Sequence, residues 1–215
     1  MNVLQTPLTP LLKTARQRSY PKGQIIFYPG DGPTDMLVLR KGQVKLYDID
    51  EQGNEKILHI FRPPAILPLA AYIIRASAET LWFYACLSDT EVYILPYQDL
   101  KPHMLADAAL ATYLLGRAAS EMHELLVRLA SMGKSTTQDK LIAALKFLGV
   151  HHATLRDSNG WRRVQFPVSH QLLADLTGIT RESTSMAMKQ LQADKVIRYP
   201  RLTVLEINFQ KLIHL

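Results

Sequence analysis

The chain has 215 residues, 47% of them hydrophobic and 20% charged, with a formal net charge of +6, an ordinary composition for a globular protein of one large or two small domains. No run of about 18 apolar residues argues for a membrane span, and MNVLQTPLTPLLK lacks the charged start and long apolar stretch of a secretory signal. Cys86 is the only cysteine, which excludes an intrachain disulfide and a thiolate cluster for zinc or iron–sulfur, and fits a reduced, cytoplasmic setting.

The charge is unevenly placed. Lys134–Leu215 holds 12 Lys/Arg and 6 Asp/Glu, whereas the first 133 residues hold 13 of each. A basic module beside a neutral one points to a polyanion partner for the C-terminal part alone.

From about Tyr20 to Pro96 the chain reads as short strands between turns. Glycines at 23, 30, 32, 42 and 53 separate β-branched and aromatic runs, and EQGNEK (51–56) is a polar turn between two of them. Many short strands at regular turn spacing imply a rolled or closed antiparallel structure. From about Lys101 the period changes. Leu105, Ala108, Thr112, Leu115, Ala119, Met122, Leu126 and Leu129 recur at steps of 3 and 4, a coiled-coil seam for a two-fold partner helix. Leu110, Tyr113, Leu114 and Leu125 form a second apolar set off the seam. Gly133 is a plausible stop.

The next helix is expected to open on Ser135 and Gln138 in capping-box spacing, with Leu141, Ala144, Leu145 and Leu148 as its core stripe. WRRVQFPV reads as a strand. Ser169 then caps a helix carrying Leu172, Leu173 and Leu176. Ala174 is small where two helices would cross, Gly178 sits at a sharp turn, and Thr180 caps a second helix from Arg181. This is a helix-turn-helix. On the second helix Thr184, Ala187, Met188 and Leu191 make the inner stripe; Arg181, Glu182, Ser185 and Lys189 face away.

In such a motif the first turns of the second helix enter the DNA major groove. Arg181 can donate to guanine O6 and N7, and Glu182 can accept from cytosine N4. Ser183, Ser185 and Met186 suit base edges or thymine methyls. Thr180 and Ser169, with the amides of their helix N-termini, suit phosphates; His170 and Gln171 share the first turn of the supporting helix. Lys189 is expected on a phosphate, and Arg198 and Arg201, on a following basic hairpin, flank the groove.

Together these residues resemble the catabolite activator protein/fumarate–nitrate reduction regulator (CRP/FNR) family of bacterial transcription factors over nearly the whole chain. YPKGQIIFYPGD, LRKGQVKLY and DEQGNEK resemble the glycine-marked turns of its sensor, and GITRESTSMAMKQL its recognition helix. The resemblance implies an α+β protein: an N-terminal β-roll, a cyclic-nucleotide-binding-like jelly roll, over 1–103; a dimerisation helix over 104–133; and a winged helix-turn-helix over 134–215. It implies a homodimer on double-stranded DNA and, if the chain is an activator, RNA polymerase as a partner.

Two departures matter. Met186 stands where the family often has arginine, which removes one guanine reader. Ile66-Leu67-Pro68 stands where cyclic-nucleotide-binding members have Gly-Glu, Thr80-Leu81 where they clamp the phosphate, and Leu125-Leu126 where they place hydroxyls. Phosphate needs donors, so the effector is unknown and cyclic AMP is not expected; Arg75 is a weak substitute clamp. No cofactor and no metal is expected, since His59, His103 and His123 are isolated in sequence. No enzyme motif is present. The remaining alternative is a small-molecule or protein-contact sensor with a degenerate DNA-binding domain.

Overall fold

The computed structural model describes residues 5–69, 79–155 and 157–215. They form two compact units. The first runs to Asp48 and from His59 to Leu125; the second comprises Ile49–Leu58 and Leu126–Leu215.

A short helix α1 (Thr9–Leu12) precedes strands β1 (Arg16–Tyr20), β2 (Ile25–Phe27), β3 (Asp35–Lys41), β4 (Val44–Ile49), β5 (Glu55–Phe61), β6 (Ile66–Leu67), β7 (Phe83–Cys86) and β8 (Thr90–Pro96), with Ile49 of β4 and Glu55–Leu58 of β5 counted in the second unit. They build two four-stranded sheets, ordered β1-β8-β3-β6 and β2-β7-β4-β5. β8 is the spine of the first, pairing antiparallel with β1 and with β3. The turn at Gly42 needs its glycine. Its φ is 87°, and a Cβ there would lie 2.5 Å from the Asp89 carbonyl oxygen.

Helices α2 (Tyr97–Ala106) and α3 (Ala108–Met132) follow. Leu100, Leu110 and Leu114 join Leu8, Leu12, Met36, Val38, Ile66, Tyr93 and Leu95 in one core cluster. The expected helix over 104–133 is interrupted. Asp107 adopts extended backbone (φ −120°, ψ 103°), and its carboxylate accepts the Ala109 and Leu110 N–H groups at 2.8 and 3.2 Å. Aspartate is a strong N-cap, so it ends α2 and starts α3, leaving Leu105 on α2. The remaining seven seam residues lie on α3.

The second unit continues with α4 (Thr137–His151), β9 (Ala153–Leu155), β10 (Trp161–Val164), α5 (His170–Thr177), α6 (Arg181–Ala193), β11 (Ile197–Arg201), β12 (Val204–Asn208) and α7 (Phe209–Leu212). The α4 cap differs from the expected one. Thr136, not Ser135, accepts the Asp139 N–H at 3.0 Å and donates to the Asp139 carboxylate at 2.7 Å, because the pair at i, i+3 closes on both sides. The α4 stripe Leu141, Ala144, Leu145 and Leu148 is buried as expected. One antiparallel sheet, β11-β12-β10-β9, forms the wing.

Candidate nucleic-acid interface

Local chemistry builds the helix-turn-helix. The Ser169 hydroxyl accepts the Leu172 N–H at 3.1 Å, which fixes the start of α5. Leu173, Ala174 and Leu176 are buried. Gly178 ends the helix in the left-handed region, φ 68°, with its N–H on the Ala174 carbonyl. Two residues on, the Thr180 hydroxyl accepts the Ser183 N–H at 3.2 Å and donates to the Ser183 hydroxyl at 2.9 Å. That contact draws Ser183 into the cap.

α6 then buries Thr184, Met188 and Leu191 and half-buries Ala187. The opposite face is open: Arg181, Glu182, Lys189 and Met186 are exposed, and Met186 is 73% accessible. Neither Arg181, Glu182 nor Lys189 makes an ion pair among the described residues. Arg181 and Glu182 also line a cavity with Asp50, Glu55 and Lys56 of the same unit, and a helix N-terminus adds the positive end of its dipole.

His170, half-buried, lies among these cations. Burial, reinforced by repulsion from Arg181 and Lys189, holds its imidazole pKa below the usual value. The first turn of α5 therefore lies within electrostatic reach of Arg181 and Lys189 on α6. Gln171 is committed locally, its amide donating to the Asp175 carboxylate at 2.7 Å.

The wing cations differ in environment. Arg201 is exposed and makes no ion pair among the described residues. Arg198 donates to the buried Glu206 at 2.7 Å and stacks over the Trp161 ring at 4.1 Å. Arg163 grips the other Glu206 oxygen at 2.6 Å. Burial opposes ionisation of Glu206, but the hydrogen bonds from Arg198 and Arg163 outweigh it and lower its pKa. Sequence reasoning missed Glu206. The only signal would have been the cross-strand register Arg198↔Glu206.

Arg128 was also missed as a structural residue. Its guanidinium is buried, donating to the carbonyls of Ile57 at 3.0 Å and Leu176 at 2.6 Å. Burial lowers its pKa to about 10, so it stays charged. A cation on the carbonyl of Leu176 suits the C-terminal end of α5.

On α3, Ala108, Thr112, Leu115, Ala119, Met122, Leu126 and Leu129 are all exposed, as is Leu105 on α2. Leu110 and Leu114 are buried, and Tyr113 is half-buried. Leu125 is exposed instead of joining them.

The sensor positions are likewise placed. Ile66 and Leu67 are buried and pair with Val38 and Leu37. Thr80 is buried, donating to the Tyr28 carbonyl at 2.5 Å, whereas Leu81 is exposed. Arg75 lies outside the described residues. Arg62 and His59 face Glu124 at 3.0 and 3.8 Å, and Arg117 pairs with Glu121 at 3.3 Å. Burial raises the Glu121 pKa to about 7, against Arg117. His103 contacts its own helix, at the Asp99 carbonyl, and His123 is exposed. Among the described residues no group of three or more His, Cys, Asp or Glu could hold a metal ion, and no helix is long and apolar enough to cross a membrane.

Comparison with known proteins places this geometry. A cyclic nucleotide-binding domain model matches residues 17–107, and a Crp-like helix-turn-helix domain model matches 139–214. The transcriptional regulator SdrP of Thermus thermophilus is 26% identical over 194 residues, 88% of this chain and 90% of its own. The cyclic AMP receptor protein of the same organism is 25% identical over 183 residues, 85% and 80% of the two chains. The structure of FixK2 from Bradyrhizobium japonicum superposes with a TM-score of 0.78 at 19% identity, covering 94% of this chain and 97% of that one. Two family models in tandem, on a β-sheet unit and a winged helix-turn-helix, lead to one conclusion: the chain belongs to the CRP/FNR family of transcription regulators and carries that family's helix-turn-helix DNA-binding domain.

Proposed function

We propose that the protein acts as a homodimer in the cytoplasm and reads an inverted-repeat operator in double-stranded DNA, with α6 as the recognition helix. The carrying observation is the uncommitted pair Arg181 and Glu182 on the exposed first turn of α6, beside Lys189 and His170. Arg181 reads a guanine, Glu182 a cytosine-bearing pair, and Ser185 and Met186 the adjoining edges. Thr180 and Ser169, with Lys189 and Arg201, hold phosphates, and Gln171 contributes to the interface from its bond to Asp175. Ser183 and Arg198 act mainly through the residues they are bonded to. The exposed stripe from Ala108 to Leu129 supplies the subunit contact, and RNA polymerase is the further partner if the protein activates.

Cyclic AMP is not the effector in this reading, and the effector is unknown. The buried Ile66 and Leu67 side chains offer no donor to a phosphate, and the Thr80 hydroxyl is spent on a backbone carbonyl. Selection of bound sequences from a random DNA pool tests the reading. A two-fold-symmetric consensus is expected; retention of DNA without any consensus would leave a sensor with a degenerate DNA-binding domain.

A further inference from the structure

Leu202, at the tip of the β11–β12 hairpin, is 92% accessible, the highest value among the large apolar residues described. It occupies a two-residue connection, Leu202–Thr203, between the paired residues Arg201 and Val204. An isolated leucine held in water this way gains nothing from burial within its own chain.

The tip is also strained and tied down. Thr203 has φ 63°, a region in which a β-branched residue is an outlier. Such strain persists where the surroundings enforce it, and it clusters at ligand clamps. Here the Thr203 carbonyl accepts the Val168 N–H at 2.8 Å. Val168 immediately precedes Ser169, the cap of α5. The hairpin tip is therefore fastened beside the first turn of α5. Behind it, the Tyr199 and His170 rings meet edge to face at 6.1 Å. The register shifts between Arg198 and Arg201, and a shift of this kind bends a strand and re-aims its end. Arg201, next to the tip, is exposed.

We propose that Leu202 is a minor-groove wedge: with α6 in the major groove, the hairpin tip enters the adjoining minor groove and Leu202 packs against a base step, flanked by Arg201 on phosphate. This rests on the DNA-reading function above. Apolar side chains of this kind part base pairs and kink the duplex. Pyrimidine–purine steps open at least cost, so Leu202 generates a preference for such a step outside the bases that α6 reads.

The test uses the full chain as wild type, Leu202→Ala and Leu202→Met, each in a random-pool selection and a circular-permutation bending assay. Leu202→Ala is expected to keep the bases read by α6, lose the flanking step preference, reduce the bend, and bind roughly tenfold more weakly. Leu202→Met keeps an apolar tip and should retain flank preference and bend. A Leu202→Ala protein with unchanged flank preference and bend overturns the wedge while leaving the DNA-reading function intact. A wild type that selects no sequence overturns that function and the wedge together.

Discussion

At the scale of single residues, the proposed interface makes separate predictions for Arg181 and His170. Arg181 is exposed and free of ion pairs among the described residues, so no ion pair has to break before it meets a base. Arg181→Ala should cost about 1–3 kcal/mol at the guanine it reads and relax preference at that base pair alone. The measurement is a sequence logo for the variant beside the wild type. An even loss over all sequences would move Arg181 to the phosphates. His170 makes a second prediction, about pH. Its free pKa is held below the ordinary 6.5, first by burial and then by Arg181 and Lys189. A phosphate arriving beside it favours the charged form, so the pKa in the complex is higher than in the free protein. Affinity should therefore rise as pH falls through the bound-state pKa and level off below the free-state pKa. Titration calorimetry in two buffers of different ionisation enthalpy should show proton uptake on binding, and His170→Gln should abolish it. Equal heats in both buffers for the wild type would contradict the placement.

At the scale of elements, the α5–turn–α6 unit depends on one backbone position. Gly178 has φ 68°, and nothing lies within 4 Å of the place its Cβ would take. Gly178→Ala therefore meets a conformational penalty and no clash, about 1 kcal/mol of stability. Gly178→Asn should lose less, since asparagine tolerates this region. Thermal unfolding of both variants checks the order; an alanine variant as stable as the wild type would mean that the turn can relax. This element was legible in the sequence because its determinants are local: Ser169, Gly178 and Thr180 act within four residues of themselves. The α2–α3 break was not, because the apolar spacing runs straight across Asp107 and only its carboxylate on two amides shows that a cap has won over the pattern. The Arg198–Glu206 and Arg128–Ile57 contacts were hidden for a different reason. Each joins residues that are close only after strand register or helix packing is set, 8 and 71 positions apart. Arg198 looked equivalent to Arg201 in the sequence, and the wing register separates them.

At the scale of the whole molecule, the proposed homodimer rests on the exposed apolar side chains of α3. A stripe including Leu115, Met122, Leu126 and Leu129, with Ala108, Thr112 and Ala119 between, leaves a lone chain with a contiguous apolar face in water, which marks an interaction site. The spacing is that of a two-helix seam, in which the same residues meet across a two-fold axis. Leu115 is 69% accessible in the single chain, so Leu115→Glu should not disturb folding of the subunit. In the dimer it would set two carboxylates against each other in a drying interface, a cost of several kcal/mol. Sedimentation should then show a folded monomer. Because two recognition helices about 34 Å apart must engage successive half-sites, that monomer should bind an isolated half-site with its ordinary preference. It should lose the gain from binding both half-sites, and the salt dependence of its binding should fall by about half, as half the phosphates are neutralised. A Leu115→Glu protein that remained dimeric and bound the full operator with the salt dependence of the wild type would move the subunit contact off α3 and leave its exposed stripe to another partner.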